Sequence, residues 1–504
     1  MPKNGGYEMK RKIALLLTLL MLTPLAAACS ESAQNGDETG TSQSTPVAAD
    51  SVEEAVPDVE TKMKDDVPAD LNFGGADVRV AHREGERGQQ EIYVEEDTGD
   101  ALDSAIFARN LAVEERLGVK IVPIASSDTQ VLLRQTAQSG SDDFDLCAAY
   151  QYYAMGLATE GILRNWNEIP YVDTSKPWWA SQFTTACTIG GQRLYFITGD
   201  AALTMLKNMA TMYVNNNIYV QYFGPVSDLY SVVLEGGWTF DKMSEYCENV
   251  YTDVNGDGAT DGGDIYGYGT TTLSMLDYSV AGAGLRWCEY DADGYPYVTI
   301  NNERTVNFVE KLYHLLYENI GSYIAAPSVE GEEDLINKFK SDTLMFLPFR
   351  ADVSEKLRDM ESDYAIVPLP KYDENQAEYS TGVHDSVSVW CVPITNSDNA
   401  EMTGAFMEAF ASQSYRDVTD VYFETLLKEK FARDEVTAEI FDIIKSGVYF
   451  DFILLHSSSL SNIGHMIRTV ISSGSPDFAS AYKRSEKVIN KSLEKLIKAY
   501  DSVG

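Results

Sequence analysis

Basic residues are scarce in this chain. Its 39 lysines and arginines stand against 77 aspartates and glutamates, a formal net charge of −38. Such a surface repels phosphate backbones, which argues against nucleic acid as a partner and suits a protein kept soluble at a cell exterior. Cysteine is scarce too. There are six in 504 residues and no C-x-x-C pair, so neither a zinc site nor a thioredoxin-like redox pair is supported. Cys147, Cys187, Cys247, Cys288 and Cys391 are widely spaced and read as small buried residues. The five histidines show no H-x-x-x-H spacing. The chain also lacks G-x-S-x-G, H-E-x-x-H and a phosphate-binding glycine loop. Glu95-Glu96 and Glu332-Glu333 are adjacent carboxylates in polar stretches, the arrangement of solvated acids. Glycosidase chemistry instead needs two carboxyls facing each other across a cleft.

Long apolar runs are missing except at the start. Lys10-Arg11-Lys12 is followed by an apolar stretch, Ile13 to Pro24, too short to span a membrane comfortably. Ala26-Ala27-Ala28 then precede Cys29. This resembles a bacterial lipoprotein signal with its lipobox, which implies cleavage before Cys29 and diacylation of its thiol. An ordinary secretory signal with an incidental cysteine is the alternative. Ser30 to about Pro68 is polar and acidic without aromatics and cannot bury enough surface to order itself. As a random coil it would span on the order of 35 Å. The reading is therefore a signal peptide over residues 1–28 and a disordered tether over 29–68.

Beyond the tether the chain alternates strand and helix. Asp77–Ala81, Val119–Ile124 and Phe144–Tyr150 read as strands, with helices at Ala101–Leu117 and Val131–Ser139. That order implies a parallel sheet with ligands beyond its carboxyl ends. Thr239 reads as a helix N-cap and Glu330–Asp334 as an acidic loop. Thr343–Arg350, Asp363–Pro370 and Ser386–Ile394 read as strands. Ser475-Pro476 is expected to cap a final helix with Phe478, Tyr482, Ile489, Leu493, Leu496 and Tyr500 on its buried face.

One local motif stands apart. Asp253 to Asp264 fits D-x-N-x-D-G-x-x-D-x-x-D, the spacing of a calcium loop. Asp253, Asn255, Asp257, Asp261 and Asp264 offer side-chain oxygens and Ala259 its carbonyl. Four carboxylates without a basic residue in the loop would repel one another unless a cation were present. The expected cofactor is a structural Ca2+; a metal-free Asn-Gly turn is the alternative.

The order of pieces from Ser341 to Ser412 resembles the second crossover of extracellular solute-binding proteins of ABC importers. An apolar strand ends at Phe349, Asp363 to Pro370 resembles the "V-x-P-L-P" strand, Thr381-Gly382 the glycine loop, and Asn399 to Phe410 the following helix. Gly161–Trp166, Gly190–Ile197 and Glu235–Met243 resemble further pieces of that family, and Leu206–Val214, with Met212–Asn215 carrying its Tyr and Asn, resembles the strand of its first crossover. The resemblance implies an α/β, two-lobed periplasmic-binding-protein-like (type II) fold with hinge crossovers and a helical C-terminal segment. It places one lobe at residues 69–203 plus 362–412 and the other at 204–361 plus 413–504.

The function it implies is capture of a small solute in the interlobe cleft and delivery to ABC permease subunits, by a monomer lipid-anchored at the extracellular face of the bacterial membrane. Thirty tyrosines and six tryptophans suit carbohydrate, whose C–H faces stack on aromatic rings. Ligand candidates by strand-end position are Arg83, Tyr150, Tyr152, Trp178, Trp179, Trp287, Phe349, Arg350 and His384, while Trp166, Trp238 and Trp390 are assigned to the core. Arg83 and Arg350 leave an anionic ligand open. The readings from other classes are a lipid-anchored glycan-active enzyme and a scaffold or adhesion lipoprotein that has lost transport.

Overall fold

Strands β1 (Ala76–Arg83), β2 (Val119–Ser126) and β3 (Leu146–Tyr150) form a parallel sheet, with β1 between the other two. The structure is a computed structural model that describes residues 62–428 and 435–503; Cys29 and most of the tether lie outside the described residues. The helix Ala101–Leu117 covers this sheet. Its start is fixed by the Asp100 carboxylate, which accepts the Leu102 and Asp103 N–H groups, and its end by Gly118 at φ 59°. A side chain at Gly118 would collide with Asn72, so glycine is required there for space as well as for backbone conformation.

The second sheet contains β4 (Ala210–Asn215), β5 (Tyr266–Thr271), β8 (Ser322–Ala325), β9 (Leu344–Arg350) and β10 (Tyr364–Val367), in the order β10-β4-β9-β5-β8. β5, β8 and β9 run parallel, and β4 runs antiparallel to β9 and β10. Every residue of β4, β5 and β10 is buried, which explains their continuous apolar and glycine-rich composition. Helix Phe240–Val250 packs on β5 so closely that a Cβ on Gly267 would meet the Cys247 backbone. Strands β6 (Cys288–Tyr290) and β7 (Pro296–Val298) make a separate hairpin. After β10 the chain crosses back, and β11 (Ser388–Cys391) joins the first sheet antiparallel to β3. Trp166, Trp238 and Trp390 are buried.

Three segments lie side by side where the lobes join. Ala210 N–H donates to Gly382 O at 2.8 Å and His384 N–H to Asn208 O at 3.0 Å. Thr381 N–H donates to Gly447 O at 2.8 Å, and Tyr449 N–H returns to Thr381 O at 3.0 Å. The C-terminal segment is thus a third strand of the hinge. The long helix Phe478–Ser502 buries all six apolar residues expected on its inner face.

Several segments differ from the sequence reading. The tether ends before Pro68: Asp65 pairs with Arg116 at 2.6 Å and Val67 is buried. Tyr364–Val367 pairs with β4, so the return crossing follows Val367, not residue 362. Leu206 belongs to a short helix, Leu203–Lys207, ahead of β4. Glu330–Asp334 lies in helix Val329–Lys340, where Ser328 caps the N-terminus and Glu330 and Glu332 sit in the first turn, a position that favours negative charge. Asp477, not Ser475, caps the final helix by accepting Ser480 N–H.

Candidate functional site

The carboxyl ends of β1 and β3 in one lobe face those of β5 and β9 in the other. β1 ends at Arg83, whose guanidinium lies over the Tyr150 ring at 4.9 Å and donates to Ser386 O at 2.9 Å. Burial pulls the Arg83 pKa down and pushes the Tyr150 hydroxyl up to about 12. β9 ends at Arg350, whose Nε donates to Asp352 at 3.2 Å.

Between the lobes lies a cavity of about 130 Å³. Tyr152 contributes from the first lobe, Asp277, Tyr278 and Trp287 from the second, and His384 and Asp385 from the return crossing. The third hinge strand brings Tyr449, Phe450 and Asp451, and the following segment Leu454 and Arg468. Asp451 organises this wall. Its carboxylate accepts from Trp287 N–H at 2.9 Å, Cys288 N–H at 3.2 Å, Ile453 N–H at 2.8 Å and the Tyr449 hydroxyl at 2.6 Å.

Two buried donors here have no partner in the protein. The Trp287 indole N–H and the Tyr278 hydroxyl are both unpaired, although their residues are only 1% and 3% exposed. A buried donor left unpaired costs free energy on the order of 1–3 kcal/mol, so a polar guest that accepted from these two groups would gain by pairing them.

The charges of the cavity are unusual. Burial, with the nearby Asp385 charge adding to it, pushes the Asp277 carboxyl up to about 7 against the opposing pull of Arg468, which it meets at 3.1 Å. Asp385 is also shifted up by burial, against Arg468 and Arg350. His384 is pushed down to about 3 by burial and by Arg350, Arg87 and Arg468. It is therefore a neutral imidazole, whose Nδ1 lies 2.9 Å from the Ser386 hydroxyl and 3.3 Å from the Asp385 carboxylate.

Of the nine candidates, the structure brings Tyr152, Trp287 and His384 to the cavity wall. Arg83 and Tyr150 pair at the end of the first sheet, and Arg350 reaches the vicinity of Tyr278 and His384. Trp178, Trp179 and Phe349 are not brought there. Trp178 is fully buried, Phe349 is 1% exposed, and Trp179 donates its indole N–H to Glu408 at 3.0 Å. Trp179 lines instead a separate cavity of about 520 Å³ with Lys62, Asp200, Tyr415 and Lys445. That cavity is the larger, and none of the other eight candidates lines it. Sequence reasoning missed Asp277, Tyr278, Asp385, Tyr449 and Arg468, which sit on helices and returning segments with no motif of their own.

In the calcium-type loop the acids are turned toward backbone N–H groups. Asp253 accepts from Gly256 at 2.7 Å and Gly258 at 2.8 Å, and Asp257 from Ala259 at 2.7 Å. Asp264 is 1% exposed and accepts from Val254, Asp261 and the Tyr251 hydroxyl. Lys338 caps the Gly262 and Asp264 carbonyls from outside the loop. Among the described residues no three acidic, histidine or cysteine groups converge as a metal site, although one short segment carries an all-oxygen donor set of the kind Ca2+ takes.

No family model matches the sequence, and no curated protein matches it. Solved structures do. A cyclic α-maltosyl-1,6-maltose binding protein from Arthrobacter globiformis superposes with a TM-score of 0.55 at 14% identity, covering 84% of this chain and 100% of that one. UgpB from Mycobacterium tuberculosis in complex with glycerophosphocholine gives 0.54 at 14% identity, again over 84% and 100%. An ABC transporter solute-binding protein from Thermotoga lettingae bound with α-D-tagatose gives 0.50 at 15% identity over the same shares. With two sheets joined by hinge strands and closed over an interlobe cavity, this chain has the two-lobed α/β fold of the solute-binding proteins of ABC importers.

Proposed function

We propose that the protein is a cell-surface substrate-binding lipoprotein that captures an oligosaccharide between its lobes and hands it to an ABC permease. The observation that carries this reading is the interlobe cavity. It is walled by Tyr152, Tyr278, Trp287, Tyr449 and Phe450 and edged by Asp277, Asp385 and Arg468, and it holds the unpaired Trp287 and Tyr278 donors. Aromatic faces beside hydrogen-bonding groups match the alternating C–H and O–H surfaces of a sugar. The ligands of the similar structures, a cyclic maltosyl sugar, glycerophosphocholine and tagatose, are all small polyhydroxylated or polar solutes.

A cavity of about 130 Å³ is well below the roughly 300–1,000 Å³ of ligand pockets. An oligosaccharide therefore enters only by parting the lobes, a hinge motion about the three adjoining strands. Binding without turnover is the expected chemistry.

Cys29 is the proposed lipid attachment point, and the acidic segment after it the proposed tether. Among the described residues no helix is long and apolar enough to cross a membrane. We also propose Ca2+ for the loop Asp253–Asp264, held by the side chains of Asp253, Asn255, Asp257, Asp261 and Asp264 and the Ala259 carbonyl. It would supply charge neutralisation and a structural clip.

The test is thermal melting of the full chain against oligosaccharides, monosaccharides, peptides and organic acids. A saturable rise in Tm with a sugar, and recovery of that sugar unchanged, is expected. A rise only with peptides or organic acids overturns the ligand class, and sugar cleavage overturns the binding-only reading.

A further inference from the structure

Five cysteines lie among the described residues, all buried, and all carry free thiols. Three of them stand alone: Cys187 on helix Ser181–Cys187, Cys247 on helix Phe240–Val250, and Cys288 at the edge of the β6–β7 hairpin, where its thiol faces Asp451 at 3.5 Å. The other two do not. Cys147 on β3 and Cys391 on β11 are direct partners in the antiparallel register, following Trp390↔Ala148 and Val389↔Ala149. Trp390 exchanges both its backbone hydrogen bonds with Ile197 on the far side, at 2.8 and 3.1 Å. The backbone of its neighbour Cys391 therefore points toward β3, and Cys391 and Cys147 form a hydrogen-bonded pair of the ladder. In such a pair the Cα atoms stand about 5.5 Å apart, within the window that a disulfide bridges. The side chains of directly opposed residues project to the same face. Here the Cys391 thiol donates to Cys147 O at 3.7 Å, on the partner strand.

We propose that Cys147 and Cys391 are a disulfide-forming pair that staples β11 to β3 when the chain folds in an oxidising medium. The staple would close a loop running through the whole second lobe. It would fix the strand that follows Asp385, so the return crossing would enter the cleft from a covalent anchor. The chemistry needs an external oxidant, and a small-molecule disulfide such as oxidised glutathione suffices. One cysteine thiolate attacks it, forming a mixed disulfide and releasing one thiol. The second cysteine, having lost its proton, attacks the cysteine sulfur of that mixed disulfide. The Cys147–Cys391 bond forms, the second small thiol leaves, and two electrons have passed from the cysteine pair to the oxidant. Both thiols are fully buried in the folded chain, and burial holds the Cys391 thiol well above the usual range. The exchange therefore belongs to the folding chain, before β11 docks, and the finished bond is shielded from reductants.

The experiment refolds the full chain from denaturant in a mixture of oxidised and reduced glutathione, then denatures it in an excess of alkylating reagent and maps the cysteines by mass spectrometry. The expected result is a Cys147–Cys391 linked peptide with no link to Cys29, Cys187, Cys247 or Cys288. The oxidised protein should melt a few degrees above the same protein refolded in reductant, and Cys147→Ser or Cys391→Ser should abolish both the link and the difference. Since either serine alters a buried position of the sheet, a wild-type control refolded with reductant alone keeps the comparison independent of mutation. Full alkylation of Cys147 and Cys391 after oxidative refolding, or linkage of either to another cysteine instead, overturns the proposal. The outcome does not depend on the identity of the cleft ligand.

Discussion

The Arg87 guanidinium of the first lobe meets the Asp352 carboxylate of the second at 3.0 Å. Arg87 sits on helix Glu86–Ile92, which follows β1, and Asp352 in the turn that follows β9. Lys207, anchored to Gln90 at 3.0 Å, reaches Glu355 of the same turn at 3.1 Å. The Arg87–Asp352 pair joins the lobes, so parting them would break it and the pair would favour the closed form.

Asp352→Asn should therefore loosen the closed form. A half-buried ion pair contributes roughly 1 kcal/mol, about fivefold in an equilibrium. Apparent affinity falls with the closed fraction, so a two- to fivefold weakening is expected, expressed mainly as faster release. Small-angle scattering of the ligand-free variant should show a larger radius of gyration than the parent. An unchanged radius together with unchanged affinity would show that the pair does not bias closure.

Protonation of Asp277 supplies a pH signature. Its carboxyl is pushed up to about 7, above the unfolded value near 3.9. Between about pH 4 and 7 the native state holds more protons than the unfolded state, so this group makes stability fall as pH rises through that window. His384 acts in the opposite sense: pushed down to about 3, it makes stability rise with pH from about 3 to 6.5. Glu408, also pushed up to about 7 by burial, shares the first window, so the informative quantity is the difference between parent and Asp277→Asn. The parent should lose stability relative to the variant from pH 4 to 7, read as a widening gap in Tm. A gap independent of pH would mean that Asp277 is ionised throughout.

Much of the first lobe could be read from the sequence, and the reason is local. Asp100 and Gly118 delimit their helix by side-chain capping and backbone conformation, cues that neighbours in sequence supply. The cavity was less legible because its wall is assembled from distant segments. Asp277 and Tyr278 lie on a helix, Asp385 in the crossing and Arg468 near the C-terminus, and no periodicity marks a residue that turns into a cleft. Trp178 and Trp179 misled for the converse reason. Large aromatics near a strand end attract a stacking role, but here they fill the first lobe, one fully buried and the other bonded to Glu408.

The acidic loop offers a stability test. If Ca2+ occupies Asp253–Asp264, chelator should lower the Tm of the parent by several degrees, and the double variant Asp253→Ala, Asp257→Ala should melt low with or without chelator. The structure gives the loop an alternative, since Gly256, Gly258 and Ala259 N–H groups already bond to these two carboxylates. Equal melting of the parent with and without chelator would leave those bonds as the whole of the loop's stabilisation.

Tyr278→Phe separates binding from folding most cleanly. Its hydroxyl is buried and unpaired, and Arg350 lies near it without a well-directed hydrogen bond. Removing an unsatisfied polar atom while keeping the ring should leave the Tm unchanged or slightly raised. A bound sugar that accepts from this hydroxyl loses one hydrogen bond, about 1 kcal/mol, so affinity should fall about fivefold. Calorimetry on the variant reads both quantities in one preparation. Lower stability with unchanged affinity would assign the hydroxyl to the fold, whereas the opposite pattern places Tyr278 at the ligand. That outcome would also explain why the chain tolerates an orphaned donor beside the hinge.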